Sequence, residues 1–140
     1  MIVVNPYINF NGNCEQAFDF YRSVFGGEFA SKSRFRDGPP GGPPLSKEDG
    51  EKILHVALPI GKNVLMGSDC PPSYGGVRAG TNINLSVHPG SEAEAGRLFN
   101  ALSAGGHITL PMQKMFWNAY FGMCVDKFGI QWMVNYDYGK

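Results

Sequence analysis

The sequence predicts an α+β fold of two tandem βαβββ modules, read as one domain over residues 1–140, with module one at about 1–70 and module two at about 80–140. Three observations predict it. A capped amphipathic helix closed by a Gly-Gly pair occurs twice. Each copy follows a short strand of alternating polarity. A two-stranded hairpin follows each helix further on.

The first strand is Tyr7-Ile8-Asn9-Phe10. Its alternation marks a sheet with one face on a helix. The helix follows at once, over 13–25. Asn13 stands where a side chain caps the free first-turn amides, with Gln16 placed to reach back. Ala17, Phe18, Tyr21, Val24 and Phe25 recur at helical spacing and form one apolar stripe. Gly26-Gly27 admit the left-handed backbone that stops a helix. The Pro/Gly stretch Gly38–Gly50 then forbids regular structure. His55–Ile60 turns at Gly61-Lys62-Asn63 into Val64–Ser68, the first hairpin. Cys70–Gly80 reads as the connection between modules.

The second module repeats this grammar. Asn82-Ile83-Asn84-Leu85-Ser86-Val87 alternates as a strand. Ser91-Glu92-Ala93-Glu94 is a capping box. Ala95, Leu98, Phe99 and Leu102 make the apolar face, and Gly105-Gly106 close the helix. Tyr120–Val125 turns at 126–129 into Ile130–Val134. Asn13 and His55 lie 42 positions apart, whereas Ser91 and Tyr120 lie 29 apart. The difference of 13 is the length of Gly38–Gly50, so without that loop the halves match.

Alternation also assigns the faces. Ile8, Phe10, Val56, Leu58, Ile60, Ile83, Leu85 and Val87 are expected under helices. Tyr7, Asn9, His55, Ala57, Asn82, Asn84 and Ser86 are expected on the opposite, polar faces, which can curl together around a ligand cavity.

Composition excludes several function classes. The chain is 43% hydrophobic and 17% charged, with formal net charge zero. It can bury a core, and it lacks the basic stripe that nucleic acid or an anionic membrane requires. The opening Met1–Val4 has no charged flank and is too short for a leader or a membrane span. Cys14, Cys70 and Cys124 are odd in number and widely spaced, which fits free thiols in a reducing cytoplasm.

As a set, several motifs resemble the PhnB-like branch of the vicinal-oxygen-chelate, or glyoxalase/bleomycin-resistance, superfamily. They are the run Pro6–Ala17 with Phe20-Tyr21 and Phe25-Gly26-Gly27; His55 followed by Met66-Gly67-Ser68-Asp69; and Phe116-Trp117 followed by Phe121-Gly122, Asp126-Lys127-Phe128-Gly129-Ile130, Trp132-Met133 and Asn135. The resemblance covers essentially the whole chain. It implies paired βαβββ modules forming a curved sheet around a cavity, usually in a homodimer. It also brings the family label 3-demethylubiquinone-9 3-methyltransferase. Enzymes of the superfamily commonly hold a divalent metal with His, Glu or Gln from four inner strands. The corresponding positions here fall near Tyr7, Met66, Asn82 and Met133, a donor set unsuited to such a metal. The glycine-rich loop of Rossmann-type methyltransferases is also missing, since Phe10-Asn11-Gly12-Asn13 holds one glycine.

The site residues that follow are His55 as the catalytic candidate, and Tyr7, Asn9, Asn82, Asn84, Gln113, Phe116, Trp117, Phe121 and Met133 as ligand contacts, with no metal and no cofactor. His55 begins a strand in the inward register, and histidine is a side chain that can exchange protons near neutral pH, so it serves either as acid/base or as a structural hydrogen-bonding group. Phe116-Trp117 forms either an aromatic ligand wall or a packing contact. Asn82 and Asn84, two apart, either orient a ligand or pin the modules together. Asp69 reads as a turn residue. Arg34 and Arg36, two apart on the strand before the Pro/Gly loop, either meet an anion or, as read here, are solvated at the surface, and His88 and His107 read as ordinary residues at element ends. The expected function is capture of a small molecule without a catalytic metal, in a cytoplasmic homodimer. The alternative is an enzyme, either the methyltransferase of the family label or a metal-free acid/base catalyst using His55.

Overall fold

The computed structural model describes residues 1–39, 41–42 and 44–139. Its elements run β1 (Tyr7–Phe10), α1 (Cys14–Phe25), β2 (Ser31–Arg34), α2 (Lys47–Gly50), β3 (Ile53–Ile60), β4 (Asn63–Asp69), β5 (Leu85–Val87), α3 (Glu92–Ser103), β6 (His107–Met115), β7 (Ala119–Val125) and β8 (Gln131–Asp137). The chain divides into two compact units, Met1–Arg78 and Ala79–Lys140. Each carries one four-stranded mixed sheet, ordered β1-β4-β3-β2 in the first and β5-β8-β7-β6 in the second. In each the first strand pairs in parallel with the last, and the other pairings are antiparallel. This is the tandem α+β architecture expected from the repeat. No helix among the described residues is long and apolar enough to cross a membrane.

The cores follow the stripes. In the first unit Ala17, Phe18, Tyr21 and Val24 of α1 are buried together with Phe10, Val56, Leu58 and Leu65 of the sheet. In the second, Ala95, Leu98, Phe99 and Leu102 of α3 are buried, as are Cys124, Trp132 and Val134. Each large apolar side chain removed from water contributes about 1.5–3 kcal/mol. A glycine on each sheet lets a helix phenyl group approach. A Cβ on Gly67 would lie 2.5 Å from the Phe18 ring, and one on Gly122 would lie 2.9 Å from the Phe99 ring.

Four expectations need correction. First, Asn13 makes no side-chain cap to α1. Asp69, from the far end of β4, takes that role: its Oδ1 accepts from the Gly12 and Cys14 amides at 2.9 and 3.0 Å, and its Oδ2 accepts from Ile53 N–H at 2.9 Å. It is therefore a buried junction, 4% exposed, and not a turn residue. Second, the strand expected over Asn82–Val87 is only Leu85–Val87. Its pairing with β8 begins at Leu85–Trp132, and the Ile83 carbonyl is taken by the Gln131 side chain at 2.7 Å. Ile83 is 73% exposed and lies outside the sheet, with Asn82 and Asn84 beside it.

Third, the Pro/Gly loop holds regular structure after all: a 3-10 turn at Phe35–Asp37 runs into Gly38, and α2 ends the stretch. The Ser46 hydroxyl accepts from Asp49 N–H, which is why four residues can wind there. Pro40 and Pro43 of that loop lie outside the described residues. Fourth, Ala57 keeps the face expected of it but is 6% exposed, so it is covered there and not open.

The capping box of α3 forms with one difference. Ser91 Oγ accepts from Glu94 N–H at 3.1 Å, while Glu94 reaches back to Gly90 N–H at 3.2 Å. Arg34 and Arg36 are paired: Arg34 makes a two-pronged contact with Glu15, and Arg36 meets Glu51.

Candidate functional site

Each sheet has a face turned away from its own helix, and Tyr7, Asn9, His55, Gln113, Phe121 and Met133 lie on those faces. In the first unit, cross-strand pairing aligns Ser31, Ala57, Met66 and Tyr7 in one row. Two residues further along the strands, Ser33 faces His55 and Asn9 faces Ser68. The pleat puts all of these on one side. Ser68 Oγ donates to Asn9 Oδ1 at 3.0 Å. The Tyr7 hydroxyl and His55 Nδ1 share a 3.3 Å hydrogen bond whose direction the histidine tautomer sets. Their rings stand 5.7 Å apart. His55 Nε2 has no hydrogen-bond partner among the described residues, so one ring nitrogen is anchored and the other is not.

In the second unit the corresponding face carries Met133 and Met123 in one row and Asn135, Phe121 and Gln113 in the next. The β6–β7 turn adds Phe116 and Trp117. Asn118 closes this turn with φ of 61°, a left-handed conformation that asparagine tolerates better than most residues. Its N–H donates to Met115 O, and its carbonyl accepts from Tyr138 N–H. Held this way, Phe116 is 96% and Trp117 43% exposed. Trp117 meets Phe116 edge-on at 5.0 Å and Phe121 at 5.4 Å. Its indole N–H donates to Asn135 Oδ1 at 3.3 Å, and Asn135 Nδ2–H donates to Asp137 Oδ1 at 3.0 Å.

Tyr7, Asn9 and His55 therefore come together in one unit, and Gln113, Phe116, Trp117, Phe121 and Met133 in the other. Asn82 and Asn84 join neither group. Sequence reasoning missed Ser33, Ser68, Asn135 and Asp137. The signal for the last two was available, since they continue the alternation of Met133 past the strand end assigned at Val134.

The strand register also bears on the four positions that the resemblance set against the superfamily's metal ligands. Tyr7 pairs with Met66 in the first unit; in the second Met133 pairs with Ser86, and Asn82 lies outside the sheet. Phenol, hydroxyl and thioether donors do not fit a hard or borderline divalent cation, which takes carboxylate, imidazole or thiolate. Among the described residues no group of three or more His, Cys, Asp or Glu could hold a metal ion. The buried thiols are also poor ligands and nucleophiles: burial pushes Cys124 up to about 11 and Cys14 higher still.

Residues 4–134 match the model of the Glyoxalase/Bleomycin resistance protein/Dioxygenase superfamily. The chain belongs to this superfamily. It is 31% identical to protein YjdN of Escherichia coli K12 across 94% of this chain and 93% of that one. Protein PA1353 of Pseudomonas aeruginosa is 40% identical over 98% of both chains, with a TM-score of 0.87. The PhnB protein of Bacillus cereus, which carries the 3-demethylubiquinone-9 3-methyltransferase label, is 24% identical over 96% of this chain and 99% of that one, with a TM-score of 0.75. The PhnB-like resemblance read from the motifs thus agrees with the fold of a protein bearing that name.

Proposed function

We propose that this superfamily member captures a small organic molecule on the sheet face of its second unit, opposite α3, by stacking and neutral hydrogen bonding, without a catalytic metal. One observation carries the reading: Phe116 and Trp117 are held exposed on a strained, hydrogen-bonded turn, edge-on to each other and beside Phe121. Adjacent exposed aromatic groups rimmed by polar side chains mark an interaction site. Gln113, paired across from Phe121, supplies an uncharged orienting group on the same face. Met133 and Met123 add a polarizable lining that adapts to the shape of a ligand.

The test is saturation-transfer NMR with benzamide and its saturated counterpart cyclohexanecarboxamide, which share one polar group and differ in the π system. Benzamide is expected to receive saturation that Trp117→Ala abolishes while far-UV circular dichroism stays unchanged. Equal signals from the two amides, or a Trp117→Ala protein that behaves as wild type, would contradict the proposal.

A second reading rests on His55, anchored through Nδ1 to Tyr7 with Nε2 unpartnered. That arrangement suits metal-free proton transfer. Here Tyr7→Phe is expected to change the pH profile of any turnover that His55→Gln eliminates.

A further inference from the structure

The chemistry of the Trp117–Asn135–Asp137 chain leaves little freedom. An indole N–H only donates, and a carboxylate only accepts. Asn135 stands between them with one acceptor toward Trp117, at 3.3 Å, and one donor toward Asp137, at 3.0 Å. The amide is therefore locked in one of its two orientations, with its oxygen turned to the ring. Pairing places Asn135 directly across from Phe121, the ring that Trp117 meets edge-on at 5.4 Å. Two independent contacts, one polar and one aromatic, thus fix the plane of a side chain that is 43% exposed. An exposed ring on a turn otherwise loses rotamer freedom when a ligand binds, and prior fixing removes that cost.

From this we infer that Asn135 is the positioning residue of the aromatic platform, oriented in turn by Asp137, and that Trp117 recognises ligands through its π face alone because its N–H is already engaged. The inference rests on the ligand-capture reading but is decided separately from it. Asn135 touches no ligand in this account; it acts through Trp117.

Substitutions that reverse polarity provide the test. Asn135→Leu removes the acceptor. Asn135→Asp keeps the acceptor but sets a second carboxylate against Asp137. Combining Asn135→Asp with Asp137→Asn restores a donor–acceptor chain of reversed pattern: the new carboxylate accepts from the indole and from the new amide. The readouts are the ¹H–¹⁵N resonance of the Trp117 indole and the dissociation constant for benzamide from saturation-transfer titration. In wild type the indole proton is expected downfield and slow to exchange. Asn135→Leu and Asn135→Asp should shift it upfield, speed its exchange and weaken benzamide at least fivefold. The double substitution should return both readouts to within twofold of wild type.

A double variant no better than Asn135→Asp, or an unchanged indole resonance in Asn135→Leu, would overturn the inference. If the indole responds as stated but benzamide binding never depends on Trp117, the positioning role stands and the ligand-capture reading falls.

Discussion

At the scale of single residues, Asp69 shows how far apart in sequence a cap and its helix can lie. Sequence reasoning looked for the cap of α1 beside it, at Asn13, and the capping oxygen came from a residue more than fifty positions later. That oxygen was not legible, because only the parallel pairing of β1 with β4 brings it there. Replacing Asp69 by Asn turns an amide donor toward donors that are already buried. Unfolding in urea is expected to show a loss of about 2–4 kcal/mol, against under about 0.5 kcal/mol for Asn13→Ala.

Glu15 offers a second residue-scale test. The hydrogen bond from Arg34, then that from Lys32, lowers its pKa from 4.5 to about 2. A depressed carboxylate stabilises the fold above its unfolded pKa and loses that contribution as pH falls through the folded one. Glu15 is 37% exposed, so solvent screening keeps the effect to about 1 kcal/mol or less. Glu15→Gln is expected to be the less stable protein at pH 7, with the gap closing between pH 4.5 and about 2, as followed by thermal melts across that range.

At the scale of elements, periodicity made α1, α3 and both hairpins legible, since buried stripes and turn residues are local signals. The strand expected at Asn82–Val87 failed on a different ground. Asn82-Ile83-Asn84 alternates well, but a strand needs a partner, and β8 offers a pairing register only from Leu85 onward. The strand before the Pro/Gly loop was read without bounds for the converse reason: pairing of Ser31–Arg34 with β3 supplies the order, its side chains give no apolar pattern, and Arg36 falls beyond its end. Half of the aromatic platform was legible as Phe116-Trp117 and Phe121. The alternation carried past Val134 placed Asn135 and Asp137 on the same face, but a polar side chain shows its partner only once the strands are in register.

The close approach of α1 to its sheet is testable at Gly67. A methyl group there meets the Phe18 ring at 2.5 Å and the Ile8 carbonyl at 2.9 Å. Gly67→Ala is expected to cost about 1–3 kcal/mol. Adding Phe18→Leu should recover part of the loss, a coupling measured by a double-mutant cycle in denaturant. Strict additivity of the two changes would show that the ring does not set the constraint.

At the scale of the whole molecule, the repeat that organises the sequence appears as two four-stranded sheets of the same connectivity. Besides the platform, the chain exposes Met1, Ile2, Val3, Val4, Ile83 and Ile108. That much apolar surface supports the proposed homodimer, whose interface would bury on the order of 1,200–2,000 Å². Light scattering coupled to gel filtration is expected to give twice the 15.3 kDa chain mass at micromolar concentration. The single chain mass would refute it.

Ligand capture without a metal is the central claim, and one titration tests it most directly: benzamide added to wild type and to Trp117→Ala, each with and without excess EDTA. The account requires binding to wild type that EDTA leaves unchanged and that Trp117→Ala weakens at least tenfold. Binding that vanishes with the chelator, or that survives the loss of Trp117, would contradict it.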